Sequence, residues 1–239
     1  MEAPPNSVLI IGHRGAAGLA PENTLEAFQA GIDAGADILE FDVRLTRDNI
    51  LVVVHDFHTI RTHHKASLIS RSTYQELQSL SEKYPPITRL DVILDRYFGR
   101  ILLNIELKSR GSGELLIQLL KKSYIQKVAD WDNVLISSFR GSELLRVRRL
   151  ADHANLAMLH HENPFLFVAY QRFLRLTAVG FHRLYLNPFA IEIAKRAKLF
   201  IYAYTVDRPS ALPHLKKQGV NGIVTNYPDK FRDAIKQES

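Results

Sequence analysis

Asp37-Ile-Leu-Glu-Phe-Asp-Val-Arg-Leu-Thr46 reads as a strand with Glu40 and Asp42 on one face, and Ile50-Leu-Val-Val-Val-His55 reads as its return. Side chains two apart on a strand point the same way, so the two acids project together. Arg47-Asp48-Asn49 between them carries turn chemistry. A two-residue Asp48-Asn49 loop pairs residue 47 with 50 and sets Asp42 opposite His55. Directly opposed residues hold their Cβ atoms about 5 Å apart, so two carboxylates and an imidazole meet at one spot. Such a group suits a hard divalent cation with a proton donor beside it. The plainer alternative is the wet face of an antiparallel pair.

Outward from this hairpin, short apolar runs alternate with amphipathic helical stretches. Strands are expected at Val8–Ile11, Ile38–Val43, Ile101–Leu107, Val134–Ser138, Leu156–Leu159, His182–Leu186, Leu199–Thr205 and Gly222–Thr225. Helices are expected over Pro21–Ala34, Ser72–Leu80, Leu90–Tyr97, Glu114–Val128, Ser142–Ala151, 163–175, Pro188–Ala197, Pro209–Gln218 and Pro228–Lys236. With the return strand set aside, eight strand–helix units remain. That pattern predicts an α/β fold of the (β/α)8 barrel type, with a small insertion after the second strand's hairpin. A chain of 239 residues fits one such domain, 1–239.

In a barrel of this kind, chemistry gathers at the carboxyl ends of the strands. His13 and Arg14 follow the first, Glu40 and Asp42 close the second, Glu106 and Lys108 close the third, and Ser137 and Ser138 close the fourth. Glu106 adds a third acid, giving an oxygen-rich set suited to Mg²⁺ or Ca²⁺. A Glu106–Lys108 ion pair at the mouth is the alternative. Arg14 offers a planar fork to a phosphate, and His13 can take or give a proton. Pro21-Glu22-Asn23-Thr24 caps a helix, and Glu22 or Asn23 is placed to reach the site. Two histidines, three acids, an arginine and a lysine fit phosphodiester hydrolysis.

Composition sets outer bounds. With no cysteine, disulfides, thiolate nucleophiles and zinc–thiolate sites are excluded. The net charge of +6 suits an anionic substrate or nucleic acid. Arg140, Arg146, Arg148 and Arg149 cluster in and just before one expected helix, whose simplest reading is a solvated face, and no nucleic-acid-binding motif accompanies them. Residues 1–7 do not resemble a signal peptide, and no apolar run is long enough to span a membrane. A cytoplasmic protein is the expectation, with its oligomeric state open.

Gly12-His-Arg-Gly15, Pro21-Glu-Asn-Thr24, Leu39-Glu-Phe-Asp-Val43, Val54-His-Asp56, Asn104-Ile-Glu-Leu-Lys108, Ser137-Ser-Phe139, Tyr204-Thr-Val206 and Gly222-Ile-Val-Thr225 occur in one order along nearly the whole chain. Together they resemble the glycerophosphodiester phosphodiesterase family. The resemblance implies one divalent cation on Glu40, Asp42 and Glu106, with His13 and His55 as the acid/base pair. It implies that Arg14 and Lys108 contact phosphate, and that a glycerophosphodiester is split into an alcohol and glycerol 3-phosphate. It implies that residues of about 57–84 cap the site. Two departures stand out. The family's usual Trp-Thr-Val-Asn is Tyr204-Thr-Val-Asp207 here, where Tyr204 keeps an aromatic wall. Its usual Thr-Asp-Tyr-Pro is Thr225-Asn-Tyr-Pro228. Both are expected to bear on substrate selectivity. Rival readings are a lysophospholipase D, with the apolar run Phe165, Leu166, Phe167, Tyr170 and Phe173 meeting an acyl chain, and a non-catalytic anion- or nucleic-acid-binding barrel.

Overall fold

The computed structural model describes residues 8–160 and 162–238. Its elements run β1 (Leu9–Gly12), α1 (Leu25–Asp33), β2 (Ile38–Leu45), β3 (Leu51–Val53), α2 (Ile60–His63), α3 (Tyr74–Gln78), β4 (Thr88–Arg89), α4 (Leu90–Tyr97), β5 (Leu102–Leu107), α5 (Ser112–Ser123), β6 (Val134–Ser138) and α6 (Gly141–Leu150). They continue β7 (Asn155–His160), α7 (Leu166–Leu174), β8 (Ala178–His182), α8 (Pro188–Arg196), β9 (Phe200–Tyr204), α9 (Leu212–Gln218), β10 (Gly222–Thr225) and α10 (Pro228–Glu238). All pairings around the ring are parallel: β2 to β5, on through β6, β7, β8, β9 and β10 to β1, and β1 back to β2. The eight-stranded (β/α)8 barrel read from the sequence is therefore present. Residues 1–7, the stretch read as lacking a signal peptide, lie outside the described residues. No helix among the described residues is long and apolar enough to cross a membrane.

The period of two sorts each strand into an inner and an outer set. Ile11, Ile38, Leu135, Ala157, Phe200, Tyr202 and Val224 pack together inside the barrel. Leu39, Phe41, Val43, Leu103, Ile105 and Leu107 face outward, into the core shared with the helices. On β2 and β5 the inner positions nearer the carboxyl ends are Glu40, Asp42, Asn104 and Glu106, all buried. The barrel interior thus has an apolar floor and a polar mouth.

Two expectations are corrected. The sixth strand lies at Ala178–His182, not His182–Leu186. Gly180 weakens strand propensity locally, but tertiary packing requires it: a Cβ there would stand 2.6 Å from Leu159 and 2.7 Å from Tyr202. The hairpin register is also one residue from the expected one. Val43 faces Val53 and Arg44 faces Val52, and Val54 donates its N–H to Asp42 O at 3.0 Å. Thr46 N–H binds Ile50 O at 3.0 Å, which closes a three-residue loop of Arg47, Asp48 and Asn49. Asn49 takes the left-handed conformation (φ 59°) that such a loop demands.

After β3 the chain builds a small satellite of its own. Val52, Val54, Ile69, Leu77, Leu80 and Ile87 form a separate cluster there. β4 adds to β3 antiparallel, so the insertion is tied to the barrel through the hairpin beside the mouth.

Candidate active site

Asp42 and Glu106 are register partners on neighbouring strands, and Glu40 is the partner of Asn104 one inner position below. Ligand oxygens of Glu40, Asp42 and Glu106 all lie within 4.8 Å of one another. Burial, then the charges of Asp42 and Glu106, push the Glu40 carboxyl well above its ordinary range. Burial, then Asp42, lift Glu106 to about 7. Asp42 goes the other way. Burial opposes its charge, but Lys108, His55 and Arg14 outweigh it and hold the carboxyl well below its ordinary range. Three buried carboxylates this close repel one another, and a hard divalent cation is the partner their oxygens fit.

Lys108 sits on the same strand face. Its Nζ lies 2.7 Å from Glu106 Oε1 and 3.1 Å from Asp42 Oδ1. The Glu106–Lys108 pair weighed from sequence therefore forms, and it coexists with the three-acid cluster.

The loop after β1 contributes His13 and Arg14. Arg14 is left-handed (φ 51°) and Gly15 follows at φ 89°, where a Cβ would come within 2.6 Å of Ala27 backbone. The turn brings Arg14 N–H to Glu40 Oε2 at 3.0 Å. The Arg14 side chain pairs with Glu22 at 2.8 Å and lies 3.5 Å from Asp42. Asn23, also left-handed, donates Nδ2 to Asp42 Oδ2 at 3.1 Å. Both Glu22 and Asn23 thus join the site, while Thr24 caps α1 through Ala27 N–H.

The two histidines are each fixed by Nδ1, which leaves Nε2 for another partner. His13 Nδ1 lies 2.7 Å from Asn226 Oδ1. Burial, then the Arg14 charge, lower its pKa to about 4. His55 Nδ1 lies 2.7 Å from Asp56 Oδ1. Burial lowers His55 as well, against the raising charge of Asp42. Despite the register correction, His55 still reaches Asp42's neighbourhood: Val54 N–H binds Asp42 O just before it, and the charges of His55 and Asp42 act on each other.

Several participants were not foreseen. Asp207 holds Asn226 by two bonds, from its backbone N–H and from Nδ2, both at 2.8 Å. The two departures from the family pattern are therefore one linked pair behind His13, with the acid and the amide exchanged between strands. Beside the bearing on substrate selectivity expected from sequence, they reach His13 directly. Arg61, from the insertion, binds Asp56 at 2.7 Å and Glu22 at 2.5 and 2.7 Å. It thereby joins the group behind His55 to the group behind Arg14.

His13, Glu40, Glu106, Asn104, Ser137, Phe139, Tyr202 and Tyr204 line a cavity of about 40 Å³ at the mouth. Tyr204 stands edge-on to Phe139 at 6.0 Å, and its hydroxyl donates to His160 O. It supplies a wall, with its polar tip already committed.

Of the basic helix, Arg148 turns inward. Its guanidinium donates to the carbonyls of Leu174, Ala151 and Ala154, binding α6 to the chain beyond it. The apolar run is also divided: Phe167 is buried, Leu166 and Tyr170 pack on the core, and Phe165 and Phe173 are exposed.

Residues 13–230 match the model of the glycerophosphoryl diester phosphodiesterase family. A glycerophosphodiester phosphodiesterase of Caldanaerobacter subterraneus is 30% identical over 96% of this chain and 98% of its own length. One from Bacillus altitudinis is 31% identical over 95% and 99%. An Oleispira antarctica phosphodiesterase, solved in complex with the product sn-glycerol-3-phosphate, superposes with a TM-score of 0.82 at 25% identity, covering 98% of this chain and 97% of that one. The glycerophosphodiester phosphodiesterase of Thermotoga maritima gives 0.81 at 26% identity over 95% and 97%.

Proposed function

The chain belongs to the glycerophosphoryl diester phosphodiesterase family, and from that premise we propose how its residues hydrolyse a glycerophosphodiester to an alcohol and glycerol 3-phosphate. The observation that carries the reading is the meeting of three buried carboxylates and two Nδ1-anchored histidines at one barrel mouth. Glu40, Asp42 and Glu106 hold one divalent cation, Mg²⁺ or Ca²⁺. When bound, it supplies fixed positive charge for the phosphate oxygens. Arg14 and Lys108 contact the phosphate and offset the charge that builds on it. The insertion caps the site, and Arg61 ties it to Glu22 and Asp56.

One imidazole takes the proton of the attacking oxygen at Nε2, and the other gives a proton to the leaving alkoxide. The unequal backing supports a division of labour. Burial lowers both rings, but the carboxylates of Asp42 and Asp56 support an imidazolium at His55 against it, which suits the acid. The Asn226 amide gives no such charge to His13, and burial keeps that ring neutral, which suits the base.

The test is glycerol 3-phosphate release from glycerophosphocholine, with circular dichroism to verify folding. His13→Ala and His55→Ala are each expected to lose about 10²–10⁴-fold in turnover. A p-nitrophenyl leaving group, which departs without a proton, is expected to restore His55→Ala and not His13→Ala. Full activity of either folded variant on glycerophosphocholine removes that histidine from the mechanism.

A second reading, lysophospholipase D activity, draws on the exposed rim of Phe165, Leu184, Tyr185 and Phe189 in the loops and helix starts after β7 and β8. The His182 ring lies 5.8 Å from Tyr204 and 5.6 Å from Tyr185, which connects this rim to the wall of the site. Turnover of lysophosphatidylcholine above that of glycerophosphocholine would favour it.

A further inference from the structure

The end of β2 and the loops after β5 and β6 each carry cations outward from the mouth. Arg44 stands two residues beyond Asp42, Lys108 and Arg110 two and four beyond Glu106, and Arg140 two beyond Ser138. With Arg47 and Phe57 they line a groove of about 430 Å³ that adjoins the phosphate site through Lys108, and no acidic residue lines it. Lys108 is engaged by Asp42 and Glu106, and Arg47 reaches Glu76 at 3.3 Å on the surface. Among the described residues, Arg44, Arg110 and Arg140 form no ion pair. Arg44 gives its Nε to the carbonyl of His55 at 2.7 Å; burial disfavours its charge, the carboxylates of Asp42, Asp56 and Glu106 support it, and the Arg140 charge works against it. The outer pair, Arg110 and Arg140, thus adds like charge to a groove with no acidic lining, which costs stability unless something anionic visits.

The backbone under these cations is held in place. Buried Glu143 accepts from Gly111 N–H and Gly113 N–H, each at 3.1 Å, fixing the loop that carries Arg110. Ser138 Oγ accepts from Arg140 N–H at 3.0 Å, and Ser109 Oγ accepts from Leu45 N–H at 3.2 Å. The groove is built before any ligand arrives.

We propose that this groove is a subsite for a second anionic group, a phosphate or phosphodiester, carried by the leaving alcohol of the substrate. The inference rests on the phosphodiesterase reading above. The glycerol half of a glycerophosphodiester is uncharged, so the alcohol is the part whose charge a basic groove can read. Guanidinium forks match phosphate oxygens in pairs. The preferred substrates are then glycerophosphodiesters with a further phosphate on the departing half, over neutral or cationic head groups.

The experiment compares kcat/KM for bis(glycerophospho)glycerol, glycerophosphoglycerol and glycerophosphocholine at low salt. In the first two the departing oxygen belongs to a glycerol unit, and only in the first does that unit carry a further phosphodiester. The expected preference for the first over the second is about tenfold, beyond the factor of two for its two cleavable bonds. It is expected to fall towards that factor of two in the Arg110→Gln/Arg140→Gln double variant and in high salt, where exposed charges are screened. Equal handling of the three substrates by the wild type overturns the subsite, as does a preference that survives the double variant. Hydrolysis of none of them overturns the phosphodiesterase reading as well, so the two failures are told apart.

Discussion

Ile38 and Glu40 are two residues apart on β2, both buried and both turned to the barrel interior, yet they meet opposite surroundings. Ile38 packs with Ile11, Leu135 and their neighbours on the floor. Glu40 faces two other carboxylates at the mouth. The floor gains stability from burying apolar surface. The mouth loses some, since burial and like charge disfavour ionised Glu40 and Glu106. One strand thus serves stability at one end and chemistry at the other, and the pleat keeps the two apart.

The sharpest way to break this contrast is at Glu40. Glu40→Gln keeps an acceptor for Arg14 N–H and removes a crowded charge. Turnover is expected to fall roughly 10²–10³-fold while Tm does not drop; near-normal glycerol 3-phosphate release would place Glu40 outside the chemistry. Ile38→Ala should do the reverse. Thermal or urea unfolding is expected to show a loss of about 2–5 kcal/mol, with turnover per folded molecule close to wild type. Unchanged stability would show that the floor is not close-packed.

The next prediction uses pH. Glu106, raised on folding to about 7 from an ordinary 4.5, stabilises the fold while protonated. That contribution is whole below 4.5 and gone once pH has risen past about 7. In chelator, the Tm of the wild type should therefore decline across this window relative to Glu106→Gln, which has nothing to titrate. The subtraction matters because His13, lowered to about 4, acts in the opposite sense and costs stability as pH falls below its ordinary value. Parallel Tm curves for the two proteins would contradict the placement of Glu106 among like charges.

The smallest effect is expected at Asn226. The double change Asn226→Asp with Asp207→Asn keeps a donor between positions 207 and 226, puts a carboxylate on His13 Nδ1 and favours the imidazolium. The acid limb of kcat/KM is expected to move up by about one pH unit. An unmoved limb would mean that His13 does not set it.

Much of this was legible in the sequence because it is local. The period of two in Leu39–Val43 and Asn104–Lys108 placed the acids on the inner face before any neighbour was known. Strand β6, strand β10 and helix α4 fall where periodicity and turn residues put them. What was missed depends on contacts between distant segments. Ala178–His182 carries a glycine that a strand resists, and only Tyr202 on the next strand explains why it is needed. Asn49 admits a left-handed turn that adds one residue to the loop and shifts the register. His55 reached the site regardless, because it lies beyond the paired residues. Asn226 meets His13 across 213 residues of chain, and Arg61 acts from an insertion with no repeating pattern. Nothing in either local stretch signals those bonds.

The cation site is tested most directly by glycerol 3-phosphate release from glycerophosphocholine before and after stripping divalent ions with a chelator. Turnover should fall to background and return when Mg²⁺ or Ca²⁺ is restored. Full turnover in chelator, from protein shown by elemental analysis to carry no divalent metal, would contradict the role given to Glu40, Asp42 and Glu106.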